Sequence, residues 1–92
     1  MTLSLLVEEL GGELIGADLE FSRLSTDTRK LARGSLYLAL TGNNFDGNEF
    51  VNEAAEKGAC AAVVSRELES TIPTLRVVDT HVALGKISAL NR

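Results

Sequence analysis

Residues 35–64 read SLYLALTGNNFDGNEFVNEAAEKGACAAVV, and this stretch decides the fold. Ser35 to Leu40 is nearly continuous apolar sequence, which suits a strand covered on both faces. Thr41 to Gly47 is the strongest loop signal in the chain, with two glycines and three Asn/Asp in seven residues. Asn48 is placed to cap a helix over 49–57, with Phe50, Val51, Ala54 and Ala55 on one face. Glu53 and Lys57 pair four apart on that helix, and Gly58 stands past its end. Ala59 to Val64, Cys60 included, is a second strand of the buried type. Strand, helix and strand make a right-handed βαβ unit, so the fold class is α/β: a small mixed or parallel sheet with flanking helices.

The rest of the chain extends this unit. Leu3, Leu6, Val7 and Leu10 repeat at helical spacing over 3–10, and Gly11-Gly12 offers a left-handed stop. Glu13 to Gly16 and Phe21 to Ser25 read as short extended runs. Ser25-Thr26-Asp27-Thr28 is a cluster whose short polar side chains bond nearby backbone and favour a turn. Leu75 to Val78 is a further strand. Asp79 or Thr80 caps a last helix, 80–92, that uses Ala83, Leu84, Ile87 and Leu90.

Composition bounds the function. Ninety-two residues, 45% hydrophobic and 24% charged, fit one small globular domain, 1–92, rather than a disordered chain. No apolar run approaches the roughly 18–20 residues that cross a bilayer, and the start lacks a signal peptide's basic region. The expected setting is cytoplasmic. A net charge of −4 argues against a nucleic-acid surface. Arg23, Arg29, Lys30 and Arg33 nevertheless cluster against the single Asp27 within 23–33. That segment is either an ordinary solvated turn or an attractor for a small anion.

A catalytic centre is hard to find. His81 reads as a surface histidine, and Cys60 as a buried, unreactive hydrophobe in a strand. Glu8-Glu9 and Glu67/Glu69 read as solvated faces. Gly85-Lys86-Ile87-Ser88 superficially resembles a phosphate loop, but Ile87 replaces the hydroxyl residue and Thr80 stands where the first glycine belongs. No metal site is expected, since one cysteine and one histidine cannot build a zinc centre. The 41–47 loop is the better candidate. It leaves a strand's carboxyl end and enters a helix N-terminus, where ligands of open α/β sheets gather. Asn43 and Asn44 offer donors and acceptors, and Phe45 an aromatic face; the alternative is a tight turn with Phe45 tucked into the core.

Taken in order, Ser25-Thr26-Asp27-Thr28-Arg29-Lys30, Gly34 to Leu40, Gly42 to Phe50, Gly58-Ala59 and Val78-Asp79-Thr80 with Ala83-Leu84 resemble the N-terminal domain of the Mur ligases. The resemblance covers nearly the whole chain. It implies a domain that grips the UDP end of a UDP-N-acetylmuramoyl-peptide and is not catalytic alone. The parent would be an ATP-dependent ligase of cytoplasmic peptidoglycan synthesis, with ATP and Mg²⁺ held by a central domain beyond the last helix and a C-terminal domain presenting the incoming amino acid or dipeptide. Asp-Thr-Arg, Asn-Phe-Asp-Gly and Val-Asp-Thr favour the member that adds D-alanyl-D-alanine to UDP-N-acetylmuramoyl-tripeptide. The alternatives are the sibling that adds the third stem-peptide amino acid and a free-standing, non-enzymatic module of this fold. Carried over residue by residue, the resemblance implies UDP contacts from Thr26, Thr28, Asn43, Asn44 and Phe45. Asp27, Arg29 and Asp46 would support them, Asp27 with Arg29 as a structural pair and Asp46, with Gly47, by shaping the turn and starting the helix.

Overall fold

A computed structural model describes residues 2–43 and 45–90, the side chains of Phe45 and Leu90 excepted. Helix α1, Leu3–Leu10, begins where the Thr2 side chain accepts from the Leu5 N–H. It ends at Gly11, whose φ of 72° lets its N–H return 2.8 Å to the Val7 carbonyl. Strands β1 (Glu13–Ile15) and β2 (Leu24–Ser25) are short, and a 3₁₀ turn over Thr28–Lys30 follows. Strand β3 (Leu36–Leu38) leads to two-residue strands β4 (Thr41–Gly42) and β5 (Phe45–Asp46), a 3₁₀ turn over Gly47–Phe50, and helix α2 (Val51–Glu56). Strands β6 (Ala61–Val64) and β7 (Thr74–Arg76) then precede helix α3 (Thr80–Leu90). The expected run of α3 to Arg92 lies outside the described residues.

The main sheet has the order β1-β7-β6-β3-β2. β2, β3, β6 and β7 are mutually parallel, with Leu36 opposite Ala61 and Val63 opposite Leu75. β1 closes one edge antiparallel to β7, which makes the sheet mixed, one of the two arrangements left open by the sequence. β4 and β5 form a separate two-stranded hairpin.

Alternate residues of the central strands feed two cores, as the pleat dictates. Leu36, Leu38, Ala61, Val63 and Leu75 pack with Leu3 and Leu6 of α1 and Ala83 and Ile87 of α3. Tyr37, Ala62 and Val64 face the other way, onto Val51 and Ala54 of α2. The continuous apolar runs of β3 and β6 follow from this double cover.

Two local expectations are corrected. Asn48 is not the helix cap: the Asp46 carboxylate accepts the Asn48 N–H at 3.0 Å and starts the 3₁₀ turn instead. The helix proper therefore runs over Val51–Glu56, shorter than 49–57. Cys60 precedes β6 rather than lying within it, and it is half-buried, with its thiol donating to the Gly34 carbonyl at 3.4 Å.

Candidate functional site

The parallel strands place their carboxyl ends along one edge of the sheet, the usual position of ligand sites in open α/β folds. Two segments with site candidates leave that edge: 26–30 after β2, and 39–47 after β3.

The first is a tightly bonded turn. The Ser25 hydroxyl donates to the Asp27 carbonyl at 3.0 Å. The Asp27 carboxylate accepts the Arg29 N–H at 2.8 Å, Nε at 3.2 Å and Nη2 at 3.1 Å. The Arg29 side chain, then its backbone N–H, holds the Asp27 carboxyl below the usual carboxylate range, and Asp27 in turn raises Arg29. Asp27 and Arg29 thus brace each other. The Thr28 hydroxyl donates to Glu53 Oε2 on α2 at 3.0 Å, so Glu53 is turned toward this turn. Thr26 and Thr28, with the Asp27–Arg29 pair, line a hollow of about 520 Å³ together with Tyr37, Phe50 and Glu53. The hollow offers hydroxyls, a carboxylate acceptor and an aromatic side chain, groups suited to a polar, planar ligand.

The second segment is a hairpin clamped at its base. Gly47 N–H donates to the Leu40 carbonyl at 2.7 Å, and the Tyr37 hydroxyl donates to the Gly47 carbonyl at 3.0 Å. Asp46 Oδ1 also accepts the Asn48 side-chain amide at 2.8 Å, while Oδ2 pairs with Arg66 Nη2 at 3.0 Å. The Asn48 side chain lowers the Asp46 pKa most, partial burial opposes it, and the Asn48 N–H and Arg66 lower it further. The exposed His81 ring meets the Thr41 carbonyl at 2.7 Å, tying α3 to β4. Asn43 sits exposed at the turn of the hairpin. Asn44 and the Phe45 side chain lie outside the described parts.

Thr26 and Thr28 therefore share one hollow, whereas Asn43 is not part of its lining. Tyr37, Phe50 and Glu53, which line the hollow, and Asn48, Ser65 and Arg66, which bond around Asp46, were not among the candidate site residues read from the sequence. Tyr37 was legible in principle, as the one polar-tipped residue between Leu36 and Leu40. Ser65 and Arg66 become neighbours of Asp46 only through the pairing of β3 with β6.

Gly85 to Ser88 lie inside α3, where backbone N–H groups serve the helix itself and form no phosphate cradle. Among the described residues, no group of three or more His, Cys, Asp and Glu is placed to hold a metal ion. Among them also, no helix is long and apolar enough to cross a membrane.

A family model described as Mur ligase family, catalytic domain, matches residues 20–92. Over 89 residues the chain is 46% identical to the UDP-N-acetylmuramoyl-tripeptide–D-alanyl-D-alanine ligase of Escherichia coli strain K12, covering 97% of this chain and 20% of that protein. Over 63 residues it is 41% identical to the UDP-N-acetylmuramoyl-L-alanyl-D-glutamate–2,6-diaminopimelate ligase of Aquifex aeolicus strain VF5, covering 68% of this chain and 13% of that protein. Among solved structures, MurF from Acinetobacter baumannii matches with a TM-score of 0.80 and 31% identity, over 94% of this chain and 20% of that one. The chain spans about 20% of the length of the first of these relatives.

Proposed function

The chain belongs to the Mur ligase family, as a domain of the N-terminal type, and from that premise we propose that it binds the UDP end of UDP-N-acetylmuramoyl-tripeptide. In this reading residues 1–92 are one substrate-binding domain of a cytoplasmic, ATP-dependent ligase. That ligase adds D-alanyl-D-alanine during peptidoglycan precursor synthesis. The observation that carries the reading is the 46% identity across 97% of the chain, a match that runs through both the Thr26–Arg29 turn and the 41–47 loop.

Thr26 and Thr28 supply hydroxyl or backbone contacts to the nucleotide, Asn43 and Asn44 polar contacts, and Phe45 a wall for base or sugar. Asp27 and Arg29 hold the turn in shape, and Asp46 holds the loop. In this reading ATP and Mg²⁺ are held by other parts of the parent ligase. The Gly85–Ser88 segment is helix interior, and the described carboxylates form no metal-binding group.

The test is an amide-shift titration of the chain with UDP-N-acetylmuramoyl-tripeptide, with an adenosine nucleotide as control. Shifts are expected at 26–29 and 42–50, and replacing Asn43 and Asn44 together by Ala should abolish them in a folded domain. Shifts at the Glu8/Glu9 helix, or equal shifts with the adenosine control, would overturn the assignment. A second reading has its own support in the 41% identity to the diaminopimelate ligase. The two separate in a product assay on the parent ligase, offered D-alanyl-D-alanine against 2,6-diaminopimelate.

A further inference from the structure

Asn48 is only 5% exposed, and its side chain is almost fully occupied. Its Nδ2 donates to Asp46 Oδ1 at 2.8 Å and to Ser65 Oγ at 3.0 Å, while its Oδ1 accepts the Ser65 N–H at 3.1 Å. One buried amide thereby joins the end of β5 to Ser65, the first residue after β6 and 17 positions beyond Asn48 itself. Arg66, next to Ser65, reaches the other oxygen of Asp46 at 3.0 Å. The hairpin held by this arrangement has two-residue strands, with only Thr41–Asp46 and Gly42–Phe45 in register. So small a hairpin is marginal alone, and its position must come from tertiary contacts.

We propose that Asn48 is a positioning residue for substrate binding: by clamping Asp46 to Ser65 it sets where the β4–β5 hairpin stands relative to the Thr26–Arg29 turn. This inference rests on the reading of both segments as the nucleotide site. Asn48 itself touches the clamp, not the ligand. An apolar residue of similar size would leave the Ser65 N–H without its partner, and a carboxylate would set a like charge against Asp46.

The experiment compares Asn48→Ala with the wild-type chain and with Ile87→Val, a core change on the opposite face of the sheet. Each is titrated with UDP-N-acetylmuramoyl-tripeptide and followed by amide shifts, and thermal midpoints are recorded alongside. Asn48→Ala is expected to weaken binding by about tenfold or more and to scatter the response at 42–46, as loss of more than one hydrogen bond implies. Ile87→Val should lower the midpoint and keep wild-type affinity. Ser65→Ala, which removes only the hydroxyl partner, should weaken binding by a smaller factor, and it carries the test if Asn48→Ala fails to fold. Unchanged affinity in Asn48→Ala (or in Ser65→Ala if that variant stands alone) would overturn the proposal. So would a loss no greater than that of Ile87→Val at equal destabilisation. A wild-type chain that does not bind overturns the site reading and this inference together, whereas wild-type binding with indifferent variants overturns this inference alone.

Discussion

The Tyr37 hydroxyl, buried on the α2 side of the sheet, donates a 3.0 Å hydrogen bond to the Gly47 carbonyl and so pins the loop from within the core. Burial, reinforced by the carboxylates of Glu53, Asp27 and Asp46, pushes the Tyr37 pKa up to about 12. The folded state thus holds the phenol proton more tightly than the unfolded chain, whose tyrosine titrates near its ordinary value of about 10. The stabilisation is complete below about pH 10 and is lost as pH rises toward 12. Tyr37→Phe should cost roughly 1 kcal/mol at neutral pH, by leaving the Gly47 carbonyl without its donor. Urea unfolding at a series of alkaline pH values should show a shallower decline for Tyr37→Phe than for wild type.

Gly47→Ala should destabilise the domain by about 1–3 kcal/mol, because backbone is in the way. A Cβ at this position would stand 2.6 Å from the Leu40 carbonyl oxygen and 2.8 Å from the Leu40 nitrogen. Gly42, on the same hairpin, has no atom of the described residues within 4 Å of where its Cβ would go. Gly42→Ala should therefore stay within about 0.5 kcal/mol of wild type, and the pair measured by denaturant unfolding isolates the steric effect.

The Asp46 carboxyl should titrate below the usual carboxylate range in a carbon-detected pH titration. Asn48→Ala should move it upward more than Arg66→Ala does, since the amide hydrogen bond is the largest influence and the guanidinium a lesser one. With a depressed folded value, the contribution of Asp46 to stability is present above the ordinary carboxylate pKa and disappears as pH falls through the lowered one. Equal upward shifts in the two variants would contradict the clamp's described geometry.

Cys60 should react with a thiol reagent more slowly than in urea, but measurably. Burial pushes its thiol pKa up, which lowers the thiolate fraction at neutral pH. Its half-buried position ahead of β6 still leaves it within reach of a small reagent. A rate equal to that of the unfolded chain would contradict this placement.

The sheet was legible because its signals are local. Leu36 to Leu38 and Ala61 to Val64 are apolar on both parities, which only a doubly covered strand requires. Helix α1 was legible from its apolar spacing and the Gly11 stop, while its Thr2 cap emerged only from the structure. The site was legible only in outline. Thr28 and Glu53 are 25 residues apart, and Asn48 and Ser65 are 17 apart. No periodicity reports such contacts, because they depend on how the strands are stacked side by side. The cap was misassigned for a similar reason. Asp46 and Asn48 are both good caps by residue type, and the choice between them is made by Ser65, which takes up the Asn48 amide.

Pairing of β1 with β7 brings Glu13 opposite Arg76, a separation of 63 residues sealed by a 2.6 Å ion pair. During synthesis, the first strand leaves the ribosome long before β7, its neighbour in the sheet, exists, and it must wait unpaired while most of the domain is made. The parallel centre formed by β2, β3 and β6 carries the shorter separations and has the lower loop-closure cost. Closure of the β1 edge is then a late event in folding, and nascent chains halted before residue 74 should leave the amides of 13–15 open to hydrogen exchange.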